Sequence, residues 1–212
     1  MKLVTFGVLL FALTFCGLSD RIKQMSGGGN SGNTASSNGG TTSKSGGGAS
    51  VEPAKPSSSQ QAIIDAGSGY VWDDQGLSWR LPAGWKRMDV SKTSFNYESP
   101  DNAFLLASVS DLGDNFPMDS SLQAYYDQAM QQLKSGKYAD VKMVSIDGIP
   151  GVEFTEAPPE GKDDVRRHQW IGYRRYLGNV QQLNIMTSTK ASNFAKHSDD
   201  FTAILYSMKA SK

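Results

Sequence analysis

A long tract rich in Gly, Ser and Asn limits where this 212-residue chain can form a packed core. From Gly17 to about Ser59, glycine pairs and triplets alternate with Ser, Thr and Asn. Such a composition cannot bury enough apolar surface to offset the entropy of ordering the backbone. The sequence therefore predicts a flexible linker over residues 16–69. It leaves about 150 residues, enough for one domain, and we expect the folded part over residues 70–209.

An apolar run precedes the tract and ends at the only cysteine. Lys2 supplies a positive charge ahead of the run from Leu3 to Phe15, which at 13 residues falls short of a bilayer span. This pattern predicts a signal peptide over residues 1–15. Leu13, Thr14 and Cys16 resemble the lipobox of bacterial lipoproteins, whereas Phe15 departs from it, because a small residue normally precedes the cysteine.

The lipobox resemblance implies that Cys16 carries a diacylglyceryl group and becomes an acylated amino terminus. The alternative is a chance cysteine in an ordinary signal peptide. Two or more acyl chains give durable attachment to a membrane. We therefore expect a lipid-anchored protein of the cell envelope with its domain outside the cytoplasm. Gly17 is not the aspartate that retains lipoproteins at the inner membrane, which favours the outer membrane.

The charge balance argues against nucleic acid as a partner. The full chain is formally neutral, and from Gln60 onward 16 Lys/Arg face 19 Asp/Glu, a net charge near −3. Nucleic-acid binding requires a clustered positive face. The same balance argues against electrostatic docking onto anionic lipid.

Hydrophobic periodicity after Tyr70 predicts an α+β domain. Alternating apolar residues favour strands, and a helix is predicted to start at a Ser120–Gln123 capping box and to end at Gly136. Asp147-Gly148 predicts a hairpin turn. The predicted strands are 77–81, 95–97, 103–110, 141–146, 149–155, 166–177 and 181–188. A second helix follows Ser192, with Phe194, Phe201, Ile204, Leu205 and Met208 on one face. Tyr125 and Tyr126 of the first helix are expected to lie in the protein core.

Three local patterns resemble the PsbP-like family, which includes small bacterial lipoproteins of the DcrB type. They are the turn from Leu81 to Trp85, the helix start from Ser121 to Tyr125 and the hairpin from Ile146 to Gly151. The resemblance covers Trp72 to Met208. It implies an α/β/α sandwich, with an antiparallel sheet flanked by helices, and a non-enzymatic assembly or binding role. No functional residue of the family is matched.

The two histidines provide no recognisable catalytic or metal motif. Neither His168 nor His197 has a His or Cys partner at ligand spacing. His168 is expected to be solvated or at a strand edge, and His197 to meet Asp200 on the last helix. The sequence has no nucleophile elbow and no phosphate-binding loop. We therefore expect no enzyme activity, no catalytic residue, no metal and no cofactor.

Cations and aromatics crowd into one predicted strand, and this cluster is the candidate partner-binding site. Its members are Arg167, Trp170, Tyr173, Arg174, Arg175 and Tyr176, with Arg166 beside them. Arg and aromatic side chains are favoured in interface anchors for protein or glycan partners. The alternative is that the aromatics fill the core while the arginines pair with carboxylates such as Glu153 and Asp164.

Two functions remain open from the sequence. One is a membrane-tethered binding or assembly module, and the other is a cryptic envelope hydrolase. A hydrolase requires a pocket in which His168 or His197 meets a Ser or a carboxylate within hydrogen-bond reach. A binding module is expected to show an exposed apolar or aromatic patch without such a dyad.

Overall fold

The structure is a computed structural model that describes residues 50–211. The predicted signal peptide, Cys16 and residues 16–49 of the predicted linker lie outside the described residues. Within residues 50–211, no helix has the length and apolar character needed to cross a membrane.

The described chain alternates strands with three helices. In order, the elements are β1 (Glu52–Pro53), α1 (Ser58–Ala66), β2 (Ser68–Trp72), a short 3-10 turn (Asp73–Gln75), β3 (Leu77–Leu81), β4 (Lys86–Val90), β5 (Ser94–Glu98), β6 (Phe104–Asp111), α2 (Met118–Lys134), β7 (Tyr138–Ile146), β8 (Ile149–Glu156), β9 (Val165–Tyr176), β10 (Asn179–Lys190), α3 (Ala191–Tyr206) and β11 (Lys209–Ala210).

The strands form two sheets. The large sheet has the order β1-β7-β8-β9-β10-β6-β5-β4, and the small sheet has the order β11-β3-β2. Neighbouring strands are antiparallel, except that β1 runs parallel to β7. The predicted α+β class, an antiparallel sheet flanked by helices, is confirmed.

Each face of the large sheet has its own hydrophobic core, because side chains alternate between faces along a strand. One core joins the large sheet to α3 and the small sheet, and its largest fully buried members are Trp72, Trp79, Phe95, Trp170 and Phe201. The other core lies under α2, where Leu122 and Ala129 meet residues of β7, β8 and β9. Tyr125 and Tyr126 pack against this second core, as expected.

The ordered chain begins earlier than the predicted boundary at residue 70. β1 pairs with Val144 and Ser145 of β7. Ser57 and Gln60 form a capping box at the start of α1. Hydrogen bonds from the Ser59 and Gln60 side chains to the Asp199 carboxylate fasten α1 to α3. No residue of α1 is buried, so the segment carries no apolar pattern from which a helix is predicted.

Helix α2 starts two residues before its predicted cap. Pro117 occupies the N-cap position, and the Ser120 hydroxyl donates to the Pro117 carbonyl, so the predicted capping box at Ser120 is wrong. Gly136 has φ of 76° and donates its N–H to the Leu133 carbonyl, which ends the helix as predicted.

Tight turns with positive φ join β7 to β8 and β9 to β10. Asp147 and Gly148 have φ of 49° and 84°, which confirms the turn between β7 and β8. The turn between β9 and β10 lies at Leu177 and Gly178, which both have positive φ, so Leu177 belongs to the turn and not to the predicted strand 166–177.

Candidate functional site

A cleft of about 560 Å³ opens between α3 and one end of β7, β8 and β9. This volume lies within the range of small-molecule sites. Its lining residues are Ala139, Asp140 and Lys142 from β7, Glu153 and Thr155 from β8, Arg166 and His168 from β9, and Phe194, Ala195, Ser198 and Thr202 from α3. The cleft lies at the polar end of the sheet face whose middle belongs to the tryptophan-rich core.

Strand register explains why these side chains meet. Asp140 pairs with Thr155, and Thr155 pairs with His168. Lys142 likewise pairs with Glu153. Paired residues of antiparallel strands point to the same face, so two rows of polar side chains face α3.

A buried carboxylate organises the floor of the cleft. The Glu153 side chain is 3% exposed. Its Oε1 lies 2.7 Å from Nε2 of His168 and 3.4 Å from Nζ of Lys142, while its Oε2 accepts a 2.9 Å hydrogen bond from the Tyr206 hydroxyl. Both oxygens of Glu153 therefore have partners, as a buried charge requires.

The pKa directions agree that Glu153 is ionised. Burial raises the pKa of Glu153, but the hydrogen bond from His168 and the charges of His168 and Lys142 outweigh it and hold the pKa below its ordinary value. For Lys142, burial lowers the pKa, and the Glu153 charge outweighs burial and raises it. Burial, followed by the Glu153 charge, raises the pKa of Tyr206 to about 12.

The ionised carboxylate fixes the orientation of the His168 ring, because Nε2 must donate its proton to Oε1. Among residues 50–211, no group forms a hydrogen bond with the other nitrogen, Nδ1. This atom is not among the polar atoms that are fully buried without a hydrogen-bond partner, so it is accessible to solvent. Nδ1 is therefore open to the cleft. The expectation of a solvated or edge histidine is wrong, since His168 is 5% exposed and is hydrogen-bonded to the buried Glu153 carboxylate.

Arg166 forms a wall of the cleft in a fixed position. Its Nε donates a 2.8 Å hydrogen bond to the Glu156 carbonyl. The guanidinium carbon lies 4.2 Å from the centroid of the Phe194 ring, and Phe194 is itself buried. Burial lowers the pKa of Arg166, and the Glu156 charge raises it in part. Neither Nη1 nor Nη2 has a hydrogen-bond or ion-pair partner in the described part of the chain.

His197 belongs to a separate cluster on α3. Its Nδ1 lies 3.2 Å from Oδ2 of Asp200, which confirms the predicted contact. Its Nε2 lies 3.2 Å from Oδ2 of Asp101 but without the alignment of a hydrogen bond. Lys196 also contacts Asp101, and this contact, together with the Ser99 hydroxyl, lowers the pKa of Asp101 to about 2. No group of three or more potential metal ligands is found among residues 50–211.

Three of the predicted partner-binding residues are buried. Trp170 is 0% exposed, and its Nε1 donates to the Val144 carbonyl. Tyr173 packs in the core under α2. Arg174 is 7% exposed, and it donates to the Gln75 carbonyl and to the Gln181 side chain. Their aromatic and cationic groups serve the interior, as the alternative interpretation held for the aromatics.

The other three predicted residues lie apart from the cleft. Arg167 pairs with Glu156, and Arg175 donates to the Asp114 carbonyl. The Tyr176 ring lies against the Arg174 guanidinium. The pairings suggested for the arginines, with Glu153 and Asp164, do not form. The strand predicted as the site does contribute Arg166 and His168 to the cleft.

Sequence comparisons leave the family open. No family model matches the chain, and no curated protein matches it.

Several solved structures have a similar fold at low sequence identity. They include LpqN of Mycobacterium tuberculosis, a protein involved in cell envelope biogenesis, at 16% identity and a TM-score of 0.49 over 69% of this chain and 86% of LpqN. They also include the cyanobacterial PsbP of Synechocystis, at 13% identity and a TM-score of 0.44 over 69% of this chain and 94% of that one. A Bacteroides thetaiotaomicron protein matches at 16% identity and a TM-score of 0.45 over 69% of this chain, but the match spans only 49% of that protein. At these TM-scores the likenesses carry no argument about the family of the chain or about what it binds.

Proposed function

We propose that this chain is a non-enzymatic binding or assembly module of the bacterial cell envelope. A lipid on Cys16 holds it at a membrane, and the cleft between α3 and the large sheet receives its partner, an envelope protein or glycan. The observation that carries the proposal is the buried Glu153 carboxylate, hydrogen-bonded to His168 at the floor of an open cleft.

A buried charge with its polar partners contributes little net stability compared with apolar side chains of the same size. Its position at the floor of a cleft, with shifted pKa values around it, is therefore better explained by recognition than by folding alone. The lipobox-like residues Leu13, Thr14 and Cys16 support the anchor.

Site-specific photocrosslinking in intact envelopes tests the cleft as the docking site. A photoreactive residue replaces Ser198, which is exposed on the cleft wall, or Ala124, which is exposed on α2 at the opposite face of the sheet. One reproducible crosslinked product from position 198 and none from position 124 is expected. A product from position 124 alone would place the docking surface elsewhere.

The anchor has its own test. Mass spectrometry of the mature amino terminus is expected to find an acylated Cys16, and Cys16→Ser is expected to release the protein from the membrane fraction. An unmodified thiol with the leader still attached would contradict the anchor.

An envelope hydrolase is the second candidate, favoured by one observation. Glu153 orients His168 at 2.7 Å and leaves Nδ1 open to the cleft, which is the arrangement of a general base held by a carboxylate. Ester turnover by the purified chain that is lost in His168→Gln and retained in His197→Gln would favour this reading over simple binding.

A further inference from the structure

The Nη1–Nη2 edge of the Arg166 guanidinium has no acceptor among residues 50–211. Resting on the cleft as the binding site of the proposed function, we propose that the ligand carries a carboxylate. The Nη1–Nη2 edge of Arg166 holds this group through two parallel hydrogen bonds.

The guanidinium is held in place before any ligand arrives. Its Nε is tied to the Glu156 carbonyl at 2.8 Å, and its plane lies over the buried Phe194 ring at 4.2 Å. These two contacts fix the direction of the remaining edge. A guanidinium that is already held in position loses little conformational entropy when a ligand binds, and the geometry of its two Nη groups matches the two oxygens of a carboxylate.

Within residues 50–211, no carboxylate side chain accepts a hydrogen bond from Nη1 or Nη2 of Arg166. The nearest candidate, Glu156, gives both carboxylate oxygens to Arg167, through the Arg167 backbone N–H and Nη1. Glu153 is taken by His168, Lys142 and Tyr206. Across residues 50–211, the two Nη atoms of Arg166 thus have no protein acceptor.

The charges around the cleft favour a carboxylate over a phosphate. Among the lining residues, Lys142 and Arg166 balance Asp140 and Glu153, so the cleft has no excess positive charge to offset the repulsion that the two carboxylates exert on an anion. A phosphate monoester brings a charge of about −1.5 to −2, whereas a carboxylate brings a single charge. The repulsion is therefore smaller for a carboxylate.

The rest of the lining favours a hydroxylated ligand. Thr155 and Ser198 present hydroxyl groups, and Nδ1 of His168 is open as a further polar contact, while the Thr202 hydroxyl donates to the Ser198 carbonyl and keeps its oxygen as an acceptor. Few apolar side chains line the cleft. An acidic sugar, which combines one carboxylate with several hydroxyls, fits both parts of the surface.

A set of three related sugars tests the inference by NMR titration of the full chain carrying Cys16→Ser. Glucuronate, glucose and glucose 6-phosphate share a ring and differ in the acidic group. At constant ionic strength, glucuronate is expected to shift the Arg166 Nε–H resonance and to bind more tightly than the other two. Arg166→Lys keeps the charge but loses the fork, and it is expected to weaken glucuronate binding by about tenfold. Arg87→Lys, at an exposed arginine of β4 at the other end of the large sheet, is the matched control and is expected to change nothing.

Four results would overturn the carboxylate ligand. They are an absence of glucuronate shifts, equal affinity for glucose, tighter binding of glucose 6-phosphate, and full affinity in Arg166→Lys. If any of these results is found while the crosslink at position 198 still forms, the cleft remains a docking site, but for another kind of ligand. Loss of that crosslink as well would remove the proposed function.

Discussion

The Tyr206 hydroxyl donates a 2.9 Å hydrogen bond to Oε2 of Glu153 and so joins the last turn of α3 to β8. His168 binds the other oxygen of the same carboxylate. One buried side chain therefore connects the helix to two strands at the floor of the cleft. This connection adds to the apolar packing of Phe201, Ile204 and Leu205 that holds α3 against the sheet.

Removing the charge of Glu153 is expected to destabilise the fold. Glu153→Gln should lower the free energy of unfolding by about 3 kcal/mol, because His168, Tyr206 and Lys142 all lose their charged partner. Tyr206→Phe removes one hydrogen bond to a charged group and should cost about 1.5–2 kcal/mol. Urea titration at neutral pH measures both. A smaller loss in Glu153→Gln than in Tyr206→Phe would contradict the central position of the carboxylate.

The contribution of Glu153 should depend on acid pH. The folded-state pKa lies below the ordinary 4.5, because the contacts of His168 and Lys142 outweigh burial. A carboxyl of this kind contributes full stability above its unfolded pKa and loses it as the pH falls through the folded value. The stability difference between the wild type and Glu153→Gln should therefore be constant from pH 7 to about pH 5 and shrink below that. A difference that grows on acidification would contradict the direction of the shift.

Tyr206 should titrate late. Burial, followed by the Glu153 charge, raises its pKa from 10.0 to about 12. The unfolded chain loses this proton first, so the stabilising effect is present below pH 10 and is lost as the pH rises through the folded value. Ultraviolet absorbance of the wild type minus that of Tyr206→Phe isolates this phenol. In Glu153→Gln the phenol should titrate at lower pH, since the charge of Glu153 and its hydrogen bond, which both raise the pKa of Tyr206, are changed.

The indole of Trp170 should not tolerate side chains at the glycines beneath it. A Cβ on Gly151 would lie 2.2 Å from the ring, and one on Gly172 would lie 2.3 Å from it. Gly151→Ala should destabilise the fold by about 1–3 kcal/mol, because the packed ring must move. Gly69→Ala is the matched control in another strand, where the nearest atom is 4.0 Å away. Thermal unfolding of both variants decides, and equal melting temperatures would contradict this packing.

Helix α1 should detach without unfolding the domain. Asp199 accepts its two side-chain hydrogen bonds from Ser59 and Gln60, and α1 has no buried residue. Asp199→Ala should change global stability by less than about 0.5 kcal/mol. Hydrogen exchange of residues 58–66 should rise, while that of β9 and β10 stays unchanged. Faster exchange throughout the sheet would show that α1 is part of the cooperative unit.

Local chemistry made part of the fold predictable. The turn at Asp147 and Gly148 needs positive φ at both positions, and this residue pair favours that conformation wherever it occurs in a chain. The buried face of α3 likewise follows from its helical spacing, with Phe194, Phe201 and Ile204 inside. Helix α1 has no such signal, because tertiary hydrogen bonds rather than an apolar face hold it.

The cleft depends on register, which sequence patterns specify poorly. Glu153 and His168 lie 15 residues apart and meet only because β8 and β9 pair as they do. His168 stands next to Arg167, which favours the interpretation of a solvated strand. One signal was present, since Glu153 shares its parity with Ile149, an inward-facing residue of the same strand. A charge at an inward position calls for a buried partner.

The large sheet ends in two strands that discourage aggregation. At one end, β1 occupies part of the border of β7 by pairing with Val144 and Ser145. At the other end, β4 exposes Lys86, Arg87, Met88 and Asp89 to solvent. Charged edge strands resist pairing with a second sheet. Backbone pairing between the edges of two such sheets is therefore disfavoured.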